Sequence, residues 1–361
     1  MRILLTGGGT GGHVYPALAI KEALESLDKH SEFLYVGTRR GIESRIVPGA
    51  GVDFETLEVE GLNKRISIQT FKSLFKLLRS LFEARRILRT YDPDIVIGTG
   101  GYVSFPVVFV AGLMKKRIFL HEQNAFPGVA NRWLSRYAEK LFLSYPESQA
   151  AFRIPGDRMA VTGNPVRRDF EFPDREREKL ELGLTGKKVI LAFGGSGGAL
   201  AINELTLSLA GALADEQDIR LILGSGKRYF ESFSEKGRGL DNLEILEYID
   251  SMPRYMGACD LVIARSGAIT LAEIAAMGLP SVLVPSPHVA NDHQMKNARV
   301  FESAGAAWVV AENEKGLESV PGRIRDLIHS GETLETMGEN ARHLHRPNSA
   351  KLIAEEILRE I

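Results

Sequence analysis

The chain opens on an unbroken apolar run, residues 1–5 (MRILL). TGGGTGGH (6–13) follows, then VYPALAIKEALESL, where Val14, Leu18, Leu24 and Leu27 fall at helical spacing. A short apolar run without alternation is the pattern of a strand buried on both faces of a parallel sheet. Strand, glycine loop and helix in that order make a phosphate-binding layout. Glycines let the backbone approach an anion, and the helix start offers N–H groups and the positive end of a dipole. The order recurs mid-chain as VILAF (189–193), GGSGGA (194–199) and a helix over 200–213. Gly7, Gly9 and Gly12 satisfy G-x-G-x-x-G, a weak signal alone; two loops, each between a strand and a helix, point to nucleotide-type domains.

The rest of the chain continues the alternation. Strands are expected at 32–36, 53–59, 95–97, 117–121 and 141–143, and in the second half at 220–223, 243–246, 261–264, 281–284 and 307–310, with a loop at 61–68. This predicts an α/β fold of two doubly wound parallel sheets. The loops at 6–13, 98–102 and 121–124 all follow strands and should share one rim, where such sheets collect ligands. The predicted division is an N-terminal domain over 1–163, a C-terminal domain over 164–345, and a terminal helix in 346–361 packing back on the first domain.

Length and composition allow this. With 361 residues, 44% apolar and 25% charged, the chain can bury two cores. A net charge of −1 gives no reason to expect a nucleic-acid partner. The single cysteine, Cys259, excludes an internal disulfide and a thiolate zinc cluster, fits a reducing cytoplasm, and reads as packing. The first residues read as a core strand rather than a leader, and no apolar run is long enough to span a bilayer.

Four stretches carry candidate chemistry. RSGAIT (265–270) follows a strand and opens a helix, and Glu273, one turn in among apolar neighbours, can accept from two adjacent hydroxyls such as those of a ribose. His288, Asn291, Asp292, His293, Gln294 and Asn297 cluster on a loop; the five-residue histidine spacing suits polyol hydrogen bonding better than a metal. His13, closing the first glycine loop, reads either as a general base or as a loop-fixing residue. Residues 71–89 form a basic amphipathic segment. Phe71, Leu74, Phe75, Leu78 and Phe82 fall on one face, and Lys72, Lys76, Arg79, Arg85, Arg86 and Arg89 stand against Glu83 alone. It suits either an anionic membrane surface or a crossover helix on the sheet.

GGGTGGHVYPALAI, IGTGGYVSFP, HEQNAFPGVANR, GNPVR, GGSGGA, RSGAITLAEIAAMGLP and HQMKNA, in this order over nearly the whole chain, resemble the MurG family. The resemblance implies a GT-B glycosyltransferase with two Rossmann-like domains and a cleft between them. It implies transfer of N-acetylglucosamine from UDP-N-acetylglucosamine to the polyprenyl-diphosphate-linked muramoyl-pentapeptide, lipid I, giving lipid II. The donor would lie mainly on the C-terminal domain and the acceptor on the N-terminal one, with the enzyme peripheral on the cytoplasmic face of the cell membrane. Residue by residue, it implies Thr10, Gly11 and Gly12 at the diphosphate or sugar side, Asn124 on the N-acetylglucosamine hydroxyls, Arg167 on the donor and Ser196 on the diphosphate. Ile249 would offer backbone to uracil. Ala268, Ile269, Thr270, Leu271 and Ala272 would line sugar and phosphate, Glu273 would hold the ribose and Gln294 the sugar hydroxyls. Gly197 departs from the glutamine usual in that loop, which shifts the diphosphate contact to Ser196 and backbone N–H groups.

The expected chemistry is one inverting displacement with His13 as first candidate base and Glu122 as second, no cofactor, and no obligatory metal. An NAD oxidoreductase lacks its acidic residue after the second strand, where Val36-Gly37-Thr38-Arg39-Arg40 stands; an NADP enzyme would use Arg39 or Arg40 but leaves the second glycine unit and the Ser266–Glu273 stretch unexplained. A GT-B enzyme with another acceptor, a UDP-sugar epimerase and a nucleotide-sugar sensor are the other readings.

Overall fold

The computed structural model describes residues 1–60, 68–170, 174–195, 197–289, 292–313 and 319–361; side chains of 68–74 also lie outside the description, as does the loop expected at 61–68 except its last residue, Ile68. By contacts the chain divides into one unit of Met1–Val166 with Asn348–Ile361, and another of Arg167–Pro347.

The first unit holds β1 (Arg2–Thr6), β2 (Glu32–Thr38), β3 (Asp53–Leu57), β4 (Ile95–Gly98), β5 (Arg117–Glu122), β6 (Lys140–Leu143) and β7 (Met159–Val161). They form one parallel sheet in the order β3-β2-β1-β4-β5-β6-β7. Successive residues of a strand face opposite layers. Ile3 and Leu5 therefore join Tyr35, Ile97, Phe119 and Phe142 on one face, while Leu4 joins Val36, Val96, Ile118 and Leu141 on the other. The first core also takes Ile353, Ala354 and Ile357 of the terminal helix Ser349–Glu360, which lies on helix Gly11–Leu27. A Lys140–Glu356 pair at 2.8 Å fixes it to β6. Val14, Leu18 and Leu24 are buried as their spacing predicts, but Leu27, in the last turn, is exposed.

The second unit holds β8 (Lys188–Phe193), β9 (Ile219–Gly224), β10 (Leu243–Leu246), β11 (Leu261–Ala264), β12 (Ser281–Leu283) and β13 (Ala307–Val309), parallel and ordered β10-β9-β8-β11-β12-β13. The central strands β8 and β11 are buried almost end to end, as their unbroken apolar runs require. In both sheets the order reverses beside the strand that precedes a glycine loop. The first sheet also extends one strand beyond β6, where the sequence pattern closed it.

Candidate active site

In the first unit the reversal falls between β1 and β4, where open α/β sheets bind ligands. The loops after β1, β4 and β5 meet there. Thr99 donates from its backbone N–H to the Thr6 carbonyl at 2.9 Å and from Oγ1 to the His13 carbonyl at 2.6 Å. Gly101 has φ +81°, and a Cβ there would stand 2.3 Å from the Gly8 carbonyl oxygen, so glycine is what lets these loops close on each other. His13 is half-buried, with Nδ1 2.9 Å from the Thr99 carbonyl oxygen. A carbonyl only accepts, so in the neutral ring Nδ1 carries the proton and Nε2 the lone pair. Thr10 is exposed at the start of helix Gly11–Leu27, and its side chain makes no capping bond.

Glu122, the second candidate base, is engaged with the loop that follows it. Its carboxylate is buried and accepts from Asn124 N–H at 3.0 Å, Asn124 Nδ2 at 3.1 Å, Gly128 N–H at 3.1 Å and Asn131 Nδ2 at 3.0 Å. These four donors tie the carboxylate to the loop that follows it and orient the Asn124 amide.

Sequence reasoning missed Glu43. This fully buried carboxylate, in the first turn of helix Glu43–Gly49, accepts from Gly9 N–H at 3.1 Å, Thr38 N–H at 3.1 Å and Thr38 Oγ1 at 2.7 Å. It ties the first glycine loop to the end of β2. Beside it, Tyr35 donates to the Gly7 carbonyl at 2.8 Å, and burial followed by the Glu43 charge pushes its hydroxyl far above the usual range. Glu43→Gln keeps the shape but turns an amide N–H toward a backbone N–H. The expected loss is about 1–3 kcal/mol. Thermal unfolding should show it as a midpoint lower by about 2–4 °C per kcal/mol.

In the second unit the reversal falls between β8 and β11. The loop after β8 packs on the loop after β9. Gly198 has φ +73°, a Cβ there would lie 2.0 Å from the Ser225 carbonyl oxygen, and Asn203 Nδ2 donates to that oxygen at 3.0 Å. Ser196 lies outside the described residues. A Cβ at Gly197 would meet nothing within 4 Å, so packing does not forbid a side chain there. Ile249 is buried with its Cδ1 over Gly224.

Helix Ala268–Met277 starts at the end of β11, with Gly267 as its extended N-cap. Ala268, Ile269 and Leu271 are buried, while Thr270, Ala272 and Glu273 are half-buried. Ser266 Oγ donates to the Gln294 carbonyl at 2.8 Å, and Ser286 N–H donates to Gln294 Oε1 at 2.8 Å. The Gln294 side-chain oxygen is thus engaged within the protein. Asn297, fully buried, donates to the Ser266 carbonyl at 3.4 Å. Burial raises the Glu273 carboxyl to about 7, against the pull of the Arg167 guanidinium. Arg167 itself lies over the Phe170 ring at 5.1 Å. Asn291 lies outside the described residues, and the structure brings His288 and His293 into no metal-ligand group among the described ones. Cys259 is buried, burial pushes its thiol up to about 12, and it donates to the Met256 carbonyl at 3.2 Å.

Two parallel-sheet units, each with a glycine loop and a helix start at its switch point, define a two-domain α/β protein of the nucleotide type. The N-terminal domain model of glycosyltransferase family 28 matches residues 3–143 and its C-terminal domain model residues 189–357. The UDP-N-acetylglucosamine--N-acetylmuramyl-(pentapeptide) pyrophosphoryl-undecaprenol N-acetylglucosamine transferase of Finegoldia magna is 38% identical over 99% of this chain and 98% of its own. Its namesake from Carboxydothermus hydrogenoformans is 42% identical over 98% and 96%. The crystal structure of Acinetobacter baumannii MurG superposes with a TM-score of 0.76 at 27% identity, covering 99% of both chains. The chain belongs to the MurG family of glycosyltransferases.

Proposed function

We propose that this enzyme moves N-acetylglucosamine from UDP-N-acetylglucosamine to the muramoyl 4-hydroxyl of undecaprenyl-diphosphoryl-N-acetylmuramoyl-pentapeptide in peptidoglycan synthesis. The observation that carries the reading is the 38–42% identity to transferases of that name along almost the entire chain, both units included. In this reading residues 1–163 form the acceptor domain and 164–345 the donor domain, with the terminal helix belonging to the first.

The acceptor 4-oxygen attacks the anomeric carbon. That bond forms as the bond from the anomeric carbon to the β-phosphate oxygen breaks, UDP leaves with the electron pair, and configuration inverts. His13 Nε2 takes the hydroxyl proton. Diphosphate charge rises toward the transition state. In this reading Ser196, the N–H groups of the loop at 194–199 and those of the helix start at Ala268–Thr270 meet that charge, with Leu271 and Ala272 lining the same side. Glu273 accepts from the ribose, Ile249 presents backbone to uracil, and Arg167 faces the donor. Asn124 and the Gln294 amide nitrogen take sugar hydroxyls, and Thr10, Gly11 and Gly12 line the diphosphate or sugar side. A displacement of this kind needs no redox or group-carrying cofactor.

The acceptor's lipid requires a membrane-facing side, and we place it on helix Ile68–Tyr91. Phe75, Leu78 and Phe82 there are 69%, 50% and 75% exposed, and Arg85, Arg86 and Arg89 are exposed. The charge excess is smaller than the segment alone indicates. Arg79 pairs with Glu58 at 3.1 Å and Glu83 at 2.9 Å, and Lys76 pairs with Glu60. The side chains of Phe71, Lys72 and Leu74 lie outside the description. Helix Gly101–Leu113 packs on helix Ile68–Tyr91 and in turn on helix Val129–Leu134, which carries Trp133, 37% exposed, with the Arg136 guanidinium over its ring at 4.2 Å. Apolar side chains with flanking cations suit a peripheral mode on an anionic cytoplasmic surface. No described helix is long and apolar enough to cross a membrane.

The test is transfer from UDP-N-acetylglucosamine to a short-chain lipid I analogue in EDTA, with the products followed by mass spectrometry. Disaccharide product and UDP are expected. Donor binding without product would overturn the reading in favour of another acceptor or a sensor. Activity lost in EDTA and restored only by a divalent ion would remove the metal-independent mechanism.

A further inference from the structure

A line of buried polar groups runs behind His13, and their chemistry assigns each proton. His121 is fully buried, and burial, opposed by the Gly163 carbonyl, brings its ring down to about 4, so it is neutral at physiological pH. Its Nε2 lies 3.2 Å from the Gly163 carbonyl oxygen, which only accepts, so the single ring proton is there. The Ser144 hydroxyl, 3.4 Å from the same nitrogen, spends its own proton on the Glu122 carbonyl at 2.9 Å and agrees with this assignment.

His121 Nδ1 then holds a lone pair and faces the Gln123 side-chain nitrogen at 3.1 Å. That nitrogen also donates to the Thr99 carbonyl at 2.7 Å. Two acceptors fix the orientation of the amide, because turned over it would set its oxygen against a carbonyl oxygen and a ring lone pair. Gln123 Oε1 is thereby left toward His13 Nδ1 at 3.3 Å, beside the Thr99 carbonyl at 2.9 Å. Gln123 is only 1% exposed, and its backbone carbonyl accepts from Asn164 Nδ2 at 3.0 Å, so the residue is held at both ends.

We propose that Gln123 is a positioning residue for the transfer: its side-chain oxygen, set by His121, holds His13 in the Nδ1-protonated tautomer and leaves Nε2 as the proton acceptor. This rests on His13 being the base. Base catalysis depends on which ring nitrogen carries the lone pair, and a third group commonly decides it. The Thr99 carbonyl alone gives the ring one acceptor. Gln123 gives it a second and also binds Thr99, so that neither ring nor carbonyl turns away.

The test has two readouts. In the uncomplexed wild type, nitrogen NMR of histidine-labelled protein should show His13 with Nδ1 protonated and Nε2 unprotonated, the signal being assigned through His13→Gln. In Gln123→Met, which fills the space without hydrogen bonds, the two His13 tautomers should mix. There kcat should fall by about 10- to 100-fold, as for a misoriented catalytic group. A side chain that only supports the fold would not move the tautomer, and the KM values for donor and acceptor should stay near wild type. If Gln123→Met fails to fold, Gln123→Asn, which withdraws the amide by one methylene, takes the same measurements. Wild-type His13 protonated at Nε2, or either folded variant keeping wild-type kcat, overturns the proposal. The expected tautomer with undiminished kcat in His13→Ala would overturn the base reading while leaving the tautomer assignment in place.

Discussion

Replacing His13 with alanine should lower kcat by about 10²- to 10⁴-fold, the range a positioned general base contributes. The KM for UDP-N-acetylglucosamine should change little, because none of the donor contacts proposed above is made by His13. Steady-state kinetics with both substrates varied checks this, and a kcat within a few-fold of wild type would remove His13 from the role. Glu122 is engaged by four N–H donors from residues 124, 128 and 131, so both carboxylate oxygens are committed within the protein. His13 has its Nδ1 proton held between the Thr99 carbonyl and Gln123 Oε1, so its lone pair lies on Nε2. Glu122→Gln should therefore act by loosening the loop that carries Asn124, which raises KM, and His13→Ala by losing proton transfer, which lowers kcat.

How much of this could be read along the chain follows from the range of each interaction. The glycine loops, the buried central strands and the helix starting at Ala268 were legible because each is written in consecutive residues: an apolar run, glycines, then a helical pattern. β7 was not, since Met159–Val161 is three half-buried residues at a sheet edge, too short for any period to register. Leu27 fits the helical stripe but falls in the last turn, past the reach of the core. Glu43 carried no local sign. Its bond to the Gly9 N–H spans 34 positions and exists only once β1 and β2 are paired. Glu122 was legible as a chemical residue, whereas its role was not, because its donors are set by how the following loop folds back. Gln294 looked free to read sugar hydroxyls until Ser286 was placed on its oxygen. The basic segment 71–89 looked more cationic than it is because Glu58 and Glu60 reach it from outside the helix.

The affinity for UDP should rise with pH through the neutral range and then level off, and Glu273 is the reason. Burial raises its carboxyl to about 7, so near neutrality a substantial fraction of the unliganded protein carries a proton there. The role proposed for Glu273 is to accept from the two ribose hydroxyls, which favours the ionised form. Binding must then release that proton when the pH lies below about 7, and affinity falls tenfold per unit in that limb. Above it the carboxylate is already present and the dependence disappears. The stability effect has the opposite sign. A carboxyl raised on folding binds more protons in the native state than in the unfolded one between its ordinary value near 4.5 and about 7, so unliganded stability declines with rising pH across that window. Glu273→Gln separates these consequences. It should weaken UDP by about 10- to 100-fold at pH 8, the worth of hydrogen bonds to a charged acceptor. It should also flatten both pH profiles, while binding near pH 5.5, where the wild-type residue is largely protonated, differs far less. Calorimetric titration of UDP against both proteins across pH 5.5–8.5, with proton release measured in buffers of different ionisation enthalpy, decides it. Equal UDP affinity of the variant and wild type at pH 8 would take Glu273 off the ribose. A wild-type profile without the acidic limb would show instead that the carboxylate is already ionised throughout, with the Arg167 guanidinium outweighing burial.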